Sequence, residues 1–408
     1  MDRRGFIKRS AALGVMASVA SRPMFAAGVG DIDGFIEEKM QRDHIPGVAA
    51  CIVKNNDIVW SKAYGWANIE RQIPMSLGSL QNIASISKTF TTTAIMQLVE
   101  VGLLDLDEDL NAILPFTVRN PKRPADELSI RQLLTHTSFL RDGLSYAEHY
   151  ACGDPRFSLA VWLREYLQPG GEFFNAEQNF QDWEPGSQFQ YTNISFGMLA
   201  YVVELKSGIP FPEYCRRNIF SRLGLNNTTW MLADADLSQH VVPYTWVENN
   251  TARGPRWGGI PLGVILEGGP TLEQTLEDGY HGNCVYNHPN YPDGFLRTSV
   301  NQLSIYTRAY LNGGEFGGKR ILRESSIAAM FTDQQVPAGN RQQGLTWSAD
   351  RELGGEPQWG HGGSDPGSNT DIRLLLRQGV GAIVFANTNG ITPTEISNRL
   401  LEIGTELF

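Results

Sequence analysis

The chain has 408 residues, 41% hydrophobic and 19% charged, which suits a globular protein with a large core and argues against a low-complexity or disordered one. Its 44 acidic and 34 basic residues give a formal charge of −10, so no basic surplus exists to neutralise the phosphates of a nucleic acid. Outside the N-terminus no apolar run approaches the length of a membrane span, and no repeat is apparent.

Residues 1–27 read as a targeting segment. Arg3-Arg4-Gly5-Phe6-Ile7-Lys8 precedes a mild apolar run from Ala11 to Ala20, then Arg22 and the small residues Ala26 and Ala27. The pattern resembles a twin-arginine export signal, with a basic disordered tail as the plain alternative. The resemblance implies the twin-arginine translocon as a partner during export, cleavage near Ala27, and a periplasmic or secreted mature protein. Four cysteines, Cys51, Cys152, Cys215 and Cys284, have no paired spacing, and a chain with this much core does not need disulfides. Cys51 falls in an apolar run and is expected to be buried.

The spacing of Ile32, Phe35, Ile36 and Met40 predicts a helix over 31–43. Strands over 47–54 and 57–64 follow, joined by an Asn55-Asn56 turn. Phe90, Ala94, Leu98 and Val101 then mark one face of a helix that Gly102 ends. Ser85-Ile86-Ser87-Lys88 sits at its start, where unpaired N–H groups and the helix dipole favour a developing negative charge. Lys88, three residues on, shares a face with Ser85 and can take the hydroxyl proton if desolvated. Alone, the pattern is better read as an N-cap serine followed by a solvated lysine, and only the rest of the sequence overturns that.

Residues 128–138 read as a short helix running into a polar turn, and 140–190 as irregular, aromatic and acidic. In extended chain Tyr191 and Asn193 point the same way; a phenol beside a lysine has its pKa lowered and can shuttle a proton, and the amide offers a substrate both a donor and an acceptor. A helix over 194–206 follows, ended by Gly208. Residues 250–295 form a long glycine- and proline-rich loop region of the kind found at functional rims. A helix near 300–312, strands near 369–376 and 380–386 around a Gln378-Gly379 turn, and a helix over 393–406 complete the chain. Strands at both ends with helices between predict one sheet built from the two termini and an inserted helical region. Before those last strands, Trp359-Gly360-His361-Gly362-Gly363-Ser364-Asp365-Pro366-Gly367 leaves room at its glycines for substrate to approach the backbone.

Taken in order, Ser85-x-x-Lys88, Tyr191-x-Asn193 and His361-x-Gly363 resemble the three motifs of class C β-lactamases, DD-peptidases and related serine hydrolases, across residues 30–405. The stretches from Leu133 to Ser138 and from Gly294 to Ser299 look like further landmarks of that family. The resemblance implies an α/β (α+β) fold, an antiparallel sheet flanked by helices (about 30–84 and 315–408) with an inserted mainly helical part (about 85–314). It implies Ser85 as nucleophile, Lys88 and Tyr191 as the proton-transfer pair, and Asn193, His361, Gly363 and Ser364 as substrate-binding residues. The backbone N–H groups of Ser85 and Ser364 would form the oxyanion hole. Many β-lactamases of this kind carry lysine where this chain has His361, which is mostly neutral at pH 7. The expected reaction is therefore amide, peptide or ester cleavage of a small-molecule or peptide substrate, more DD-peptidase- or D-aminopeptidase-like than β-lactamase. A carboxylesterase on the same machinery and a non-turnover binding or sensor protein are the alternatives. No cofactor or metal is called for. His281, Cys284 and His288 have ligand-like spacing but no supporting motif. Phe173, Phe174, Trp183, Trp257 and Tyr280 either line the pocket mouth or pack among the loops.

Overall fold

A computed structural model describes residues 25–249, 251–253, 256–257, 260–261 and 279–408. Nearly all of the expected export segment, and much of the expected 250–295 loop region including the Trp257 side chain, lies outside them.

The chain opens with α1 (Phe25–Arg42), β1 (Gly47–Lys54), β2 (Asp57–Asn68) and the short β3 (Ile73–Pro74). Asn55 and Asn56 both take positive φ, +48° and +74°, as a two-residue hairpin turn requires. Then come α2 (Ser87–Glu100), α3 (Ile130–Leu134), α4 (Leu159–Leu167), α5 (Ile194–Ser207) and α6 (Val300–Leu311). The C-terminal part supplies β4 (Gln342–Gln343), β5 (Ser348–Leu353), β6 (Glu356–Asp365), β7 (Ser368–Leu375), β8 (Val380–Ala386) and α7 (Thr394–Glu406). The eight strands form one antiparallel sheet in the order β4-β5-β6-β7-β8-β1-β2-β3. β1 and β8 come from opposite ends of the chain and pair Val48 with Ala386 through Lys54 with Val380. The sheet is thus drawn from the two termini, as the strand pattern predicted.

Alternation along β1 divides the core. Val48, Ala50 and Ile52 face one side, packed with Ile32 and Ile36 of α1 and Ile396, Leu400 and Ile403 of α7. Ala49, Cys51 and Val53 face the other, in the large core that contains Phe90 of α2 and the helical region. Each fully buried aliphatic side chain of this kind contributes about 1.5–3 kcal/mol.

Three sequence expectations need correction. The α2 helix is not one-sided: Ser87 through Met96 are buried all round, while Val101, expected on its apolar face, is 65% exposed. The helix lies between sheet and helical region, and two of its threonines are satisfied within it, Thr92 Oγ1 donating to the Lys88 carbonyl and Thr93 Oγ1 to that of Thr89, while Thr91 Oγ1 donates outside it to the Pro292 carbonyl. The stretch 140–190 is not wholly irregular, because Ser158 caps α4, which buries Leu159, Trp162, Leu163 and Tyr166. The glycine-rich stretch around His361, expected only to lie ahead of the last two strands, is itself strand β6. Two of the cysteines are also joined: Cys152 and Cys284, 132 residues apart, form a disulfide, while Cys51 and Cys215 are free and buried.

Candidate active site

The site is built on one strained turn. The two-residue strand Gln81–Asn82 pairs with Arg297–Thr298, and Asn82 Oδ1 accepts the N–H of Ala84 at 3.0 Å. Ala84 is held at φ +47°, a conformation that costs a non-glycine residue about 1 kcal/mol or more. The chain then makes a 3₁₀ turn over Ala84–Ile86 and enters α2, with Ser85 at the junction as expected. Strand β6 lies directly against this turn. A Cβ on Gly363 would fall 2.4 Å from the Ile83 carbonyl oxygen and 2.2 Å from Thr370 Oγ1, the hydroxyl that donates to that carbonyl.

Lys88 is fully buried beneath Ser85. Its Nζ lies 2.9 Å from Ser85 Oγ, 2.8 Å from Asn193 Oδ1 and 2.7 Å from the Asp293 carbonyl oxygen. Three acceptors match the three donors of an ammonium. A neutral amine there keeps donors for Asn193 and Asp293 and turns its lone pair toward the Ser85 hydroxyl. Asn193 Oδ1 is therefore engaged by Lys88 and not free to serve a substrate alone. Asp142, which the sequence did not single out, fixes this residue: its carboxylate accepts the backbone N–H groups of Asn193 and Ile194 at the start of α5.

Tyr191 is 37% exposed, but its hydroxyl lies at the inner end beside Lys88 and Ser85. Its ring stacks on His136 at 4.3 Å, and Lys88 Nζ is 5.0 Å from the ring centroid. Lost hydration raises the phenol above its usual value, outweighing the pull of Lys88 and Ser85. The expected lowering of this pKa is thus overturned, and Tyr191 stands as a neutral phenol. His361 behaves as expected: burial first, and Lys88 second, bring it down to about 3. Its Nδ1–H donates to the Gly362 carbonyl at 2.8 Å, leaving Nε2 unprotonated.

Ser85, Tyr191, Asn193, His361, Gly363 and Ser364 line one cleft of about 550 Å³, with Lys88 beneath its floor. The structure thus brings all seven sequence-predicted residues together. Sequence reasoning missed several others on its walls, among them His136, Tyr150, Asp293, Arg341, Asp365 and Arg373. His136 and Asp365 stood inside stretches already marked by pattern, and only their burial reveals them. Of the aromatics named from sequence, Phe173 packs on Trp162 and His149, Phe174 on Phe180 and Tyr280 on Trp246, while Trp183 Nε1 donates to the Ser138 carbonyl. Loop packing therefore accounts for them, and Phe189, Tyr150 and Phe295 take the places in the cleft. Of the ligand-like trio, Cys284 is in the disulfide, and both His288 ring nitrogens are engaged, by the Tyr146 carbonyl and the Asn290 N–H.

Comparison with known proteins gives the chain a family and its fold several relatives. A family model described as Beta-lactamase matches residues 32–404. Protein flp of Staphylococcus aureus (strain MRSA252) is 23% identical over 358 residues, covering 88% of this chain and 62% of that protein. The chain thus spans less than two thirds of the length of that curated relative. A putative D-alanyl-D-alanine carboxypeptidase of Escherichia coli (strain K12) is 22% identical over 330 residues, 77% of this chain and 70% of that one. Among solved structures, the D-amino acid amidase of Ochrobactrum anthropi SV3 superposes with a TM-score of 0.71 at 20% identity, covering 92% of this chain and 98% of that one. A class C beta-lactamase superposes with a TM-score of 0.68 at 16% identity, covering 95% and 98%.

Proposed function

The chain belongs to the beta-lactamase family of serine hydrolases, and on that premise we propose that it cleaves an amide, peptide or ester bond through an acyl-enzyme on Ser85, acting more as a DD-peptidase or D-amino-acid amidase than as a β-lactamase. The observation that carries the proposal is the buried Lys88 amine 2.9 Å from Ser85 Oγ. Ser85 Oγ attacks the substrate carbonyl carbon, and its proton passes to the Lys88–Tyr191 pair. The carbonyl electrons move onto oxygen, where the backbone N–H groups of Ser85 and Ser364 stabilise them, each worth about 2.7–4 kcal/mol. As the C–N or C–O bond breaks, the neutral Tyr191 phenol hands a proton to the leaving group, restored from Lys88. Water then attacks the Ser85 ester by the same route, releasing the acid and the free serine.

The neutral His361 supplies no fixed charge for a substrate carboxylate, which supports D-amino-acid amides, having none, over β-lactams. Turnover of D-aminoacyl amides, a D-Ala-D-Ala peptide, simple esters and a chromogenic cephalosporin, for wild type and Ser85→Ala, tests the reading. Cephalosporin as the best substrate contradicts the preference, and unchanged turnover in Ser85→Ala contradicts the mechanism.

Export is part of the proposal. The Arg3-Arg4 segment and the Cys152–Cys284 disulfide, which persists in an oxidising compartment, support it. Fractionation of cells expressing the wild type and an Arg3→Lys/Arg4→Lys variant tests it: the wild type is expected outside the inner membrane and the variant inside.

A further inference from the structure

Two carboxylic acids stand beside Ser85 that the reaction above does not use. Asp365 lies on β6 two residues past Gly363, so the two positions share a face. The Cβ that Gly363 lacks would fall 3.1 Å from the Cβ of Ala84, the neighbour of Ser85. Gly294 locates the Asp365 carboxyl: a Cβ on that glycine would meet Asp365 Oδ2 at 3.5 Å and the Ala84 carbonyl carbon at 3.9 Å. Asp293 is tied to the same site through its backbone carbonyl oxygen, which accepts from Lys88 Nζ. Both aspartates line the cleft, and they are only 2% and 5% exposed.

Their partners do not match their charge. Asp365 accepts from Asn82 Nδ2 at 3.1 Å and from the Tyr150 hydroxyl at 3.2 Å. Asp293 Oδ2 accepts from the Tyr146 hydroxyl, and its buried Oδ1 has no hydrogen-bond partner. No lysine or arginine among the described residues forms a salt bridge with either carboxyl. Burial pushes each up to about 7, Asp365 adds to the rise at Asp293, and Lys88 pulls both back. Two acids so placed feel the charge of Lys88 but have no ion-pair partner of their own among the described residues.

We infer that Asp293 and Asp365 form a receptor for an ammonium group on the acyl part of the substrate, so that preferred substrates carry a free α-amino group next to the scissile carbonyl. The inference rests on the reading of Ser85 as the acylated residue. Standard bond lengths put an α-nitrogen about 2.5 Å from its carbonyl carbon, so an acyl group on Ser85 holds that nitrogen close to the nucleophile, in the cleft that Gly294, Asp293 and Asp365 also line. An ammonium there offsets the repulsion and lost hydration of the two carboxylates. An N-acylated nitrogen is neutral and leaves both acids uncompensated.

Alanine p-nitroanilide of each hand, its N-acetyl counterpart and propionyl p-nitroanilide, assayed on wild type, Asp365→Asn, Asp293→Asn and Ser85→Ala, test this. Wild type is expected to favour the free amine over both neutral analogues by at least tenfold in kcat/KM. The ratio of free-amine to propionyl kcat/KM should fall at least tenfold in each asparagine variant that remains folded by thermal melt. Ser85-dependent hydrolysis with no preference for the free amine overturns this inference and leaves the proposed function standing. Preference that both folded asparagine variants retain also overturns it. If no substrate shows Ser85-dependent hydrolysis, the proposed function fails and this inference with it. If neither variant folds, absence of the wild-type preference still overturns the inference.

Discussion

The carboxylate of Asp142 accepts the backbone N–H of Asn193 through both its oxygens, at 3.0 and 2.9 Å, and so fixes from a distant loop the residue whose Oδ1 holds Lys88. This bond joins the fold to the chemistry, because the same carboxylate caps the first turn of α5 through Ile194. Asp142→Ala leaves those N–H groups buried without an acceptor and should lower stability by about 1–3 kcal/mol. It should also lower kcat by about tenfold or more, as Lys88 loses a fixed neighbour. Urea unfolding and steady-state rates check both effects, and a full rate in the destabilised variant would separate Asp142 from the site.

Gly363→Ala is expected to be severe for a reason unrelated to stability alone. Its Cβ would overlap the Ile83 carbonyl oxygen, and backbone at a strained turn cannot step aside as a flexible side chain does. Overpacking of this sort costs typically 1–3 kcal/mol. Displacing the turn moves Ser85 with it, so kcat should drop by about a hundredfold, measured against a melting curve that still shows a cooperative fold.

Tyr191→Phe keeps the stack on His136 and removes the hydroxyl beside Lys88 and Ser85. A fall in kcat of about 10²–10⁴, with little change in melting temperature, is expected if the phenol carries the proton. Since burial raises this phenol, ultraviolet titration of the wild type should show no Tyr191 ionisation below its ordinary pH range. A phenolate at neutral pH would contradict the assignment of a neutral acid.

Asp365 makes stability depend on pH in a predictable direction. Unfolded, it loses its proton near pH 4; folded, burial holds the proton to about pH 7. Between those values the native state binds more protons, so this residue's contribution is full below pH 4 and is lost as pH rises toward 7. Asp365→Asn removes that dependence. Relative to wild type, the variant should gain stability from pH 4 to pH 7, and the difference should level off above about 8. Calorimetry across that range checks it. A constant difference would mean that the carboxyl is ionised throughout.

Removing the Cys152–Cys284 disulfide by paired serine substitution should cost about 2–5 kcal/mol, read by denaturant unfolding. Loss of less than 1 kcal/mol would show that the segments it joins hold together without it.

What was legible in the sequence was whatever depends on local pattern. The hairpin at Asn55-Asn56, the run of α2 to Gly102 and the three spaced motifs were all readable, and those motifs converge on one cleft. What needed the fold was burial. Val101 and Phe90 fit the same helical spacing, but only the insertion of α2 between sheet and helical region decides that one is exposed and the other fully covered. The shift of Tyr191 upward rather than downward has the same origin, since lost hydration is set by neighbours distant in sequence. Asp142 and Asp293 carry no motif at all, and Asp365 stood unremarked inside the stretch around His361. Three acids among 44 become recognisable only when their surroundings are known.

The central claim, that Ser85 is an activated nucleophile, is tested most directly by intact mass after exposure to a broad serine-reactive phosphonate, for wild type and Ser85→Ala. The account predicts a single adduct on wild type, mapped to the peptide containing Ser85, and none on the variant. Equal labelling of both proteins, or no labelling of a folded wild type, would contradict it.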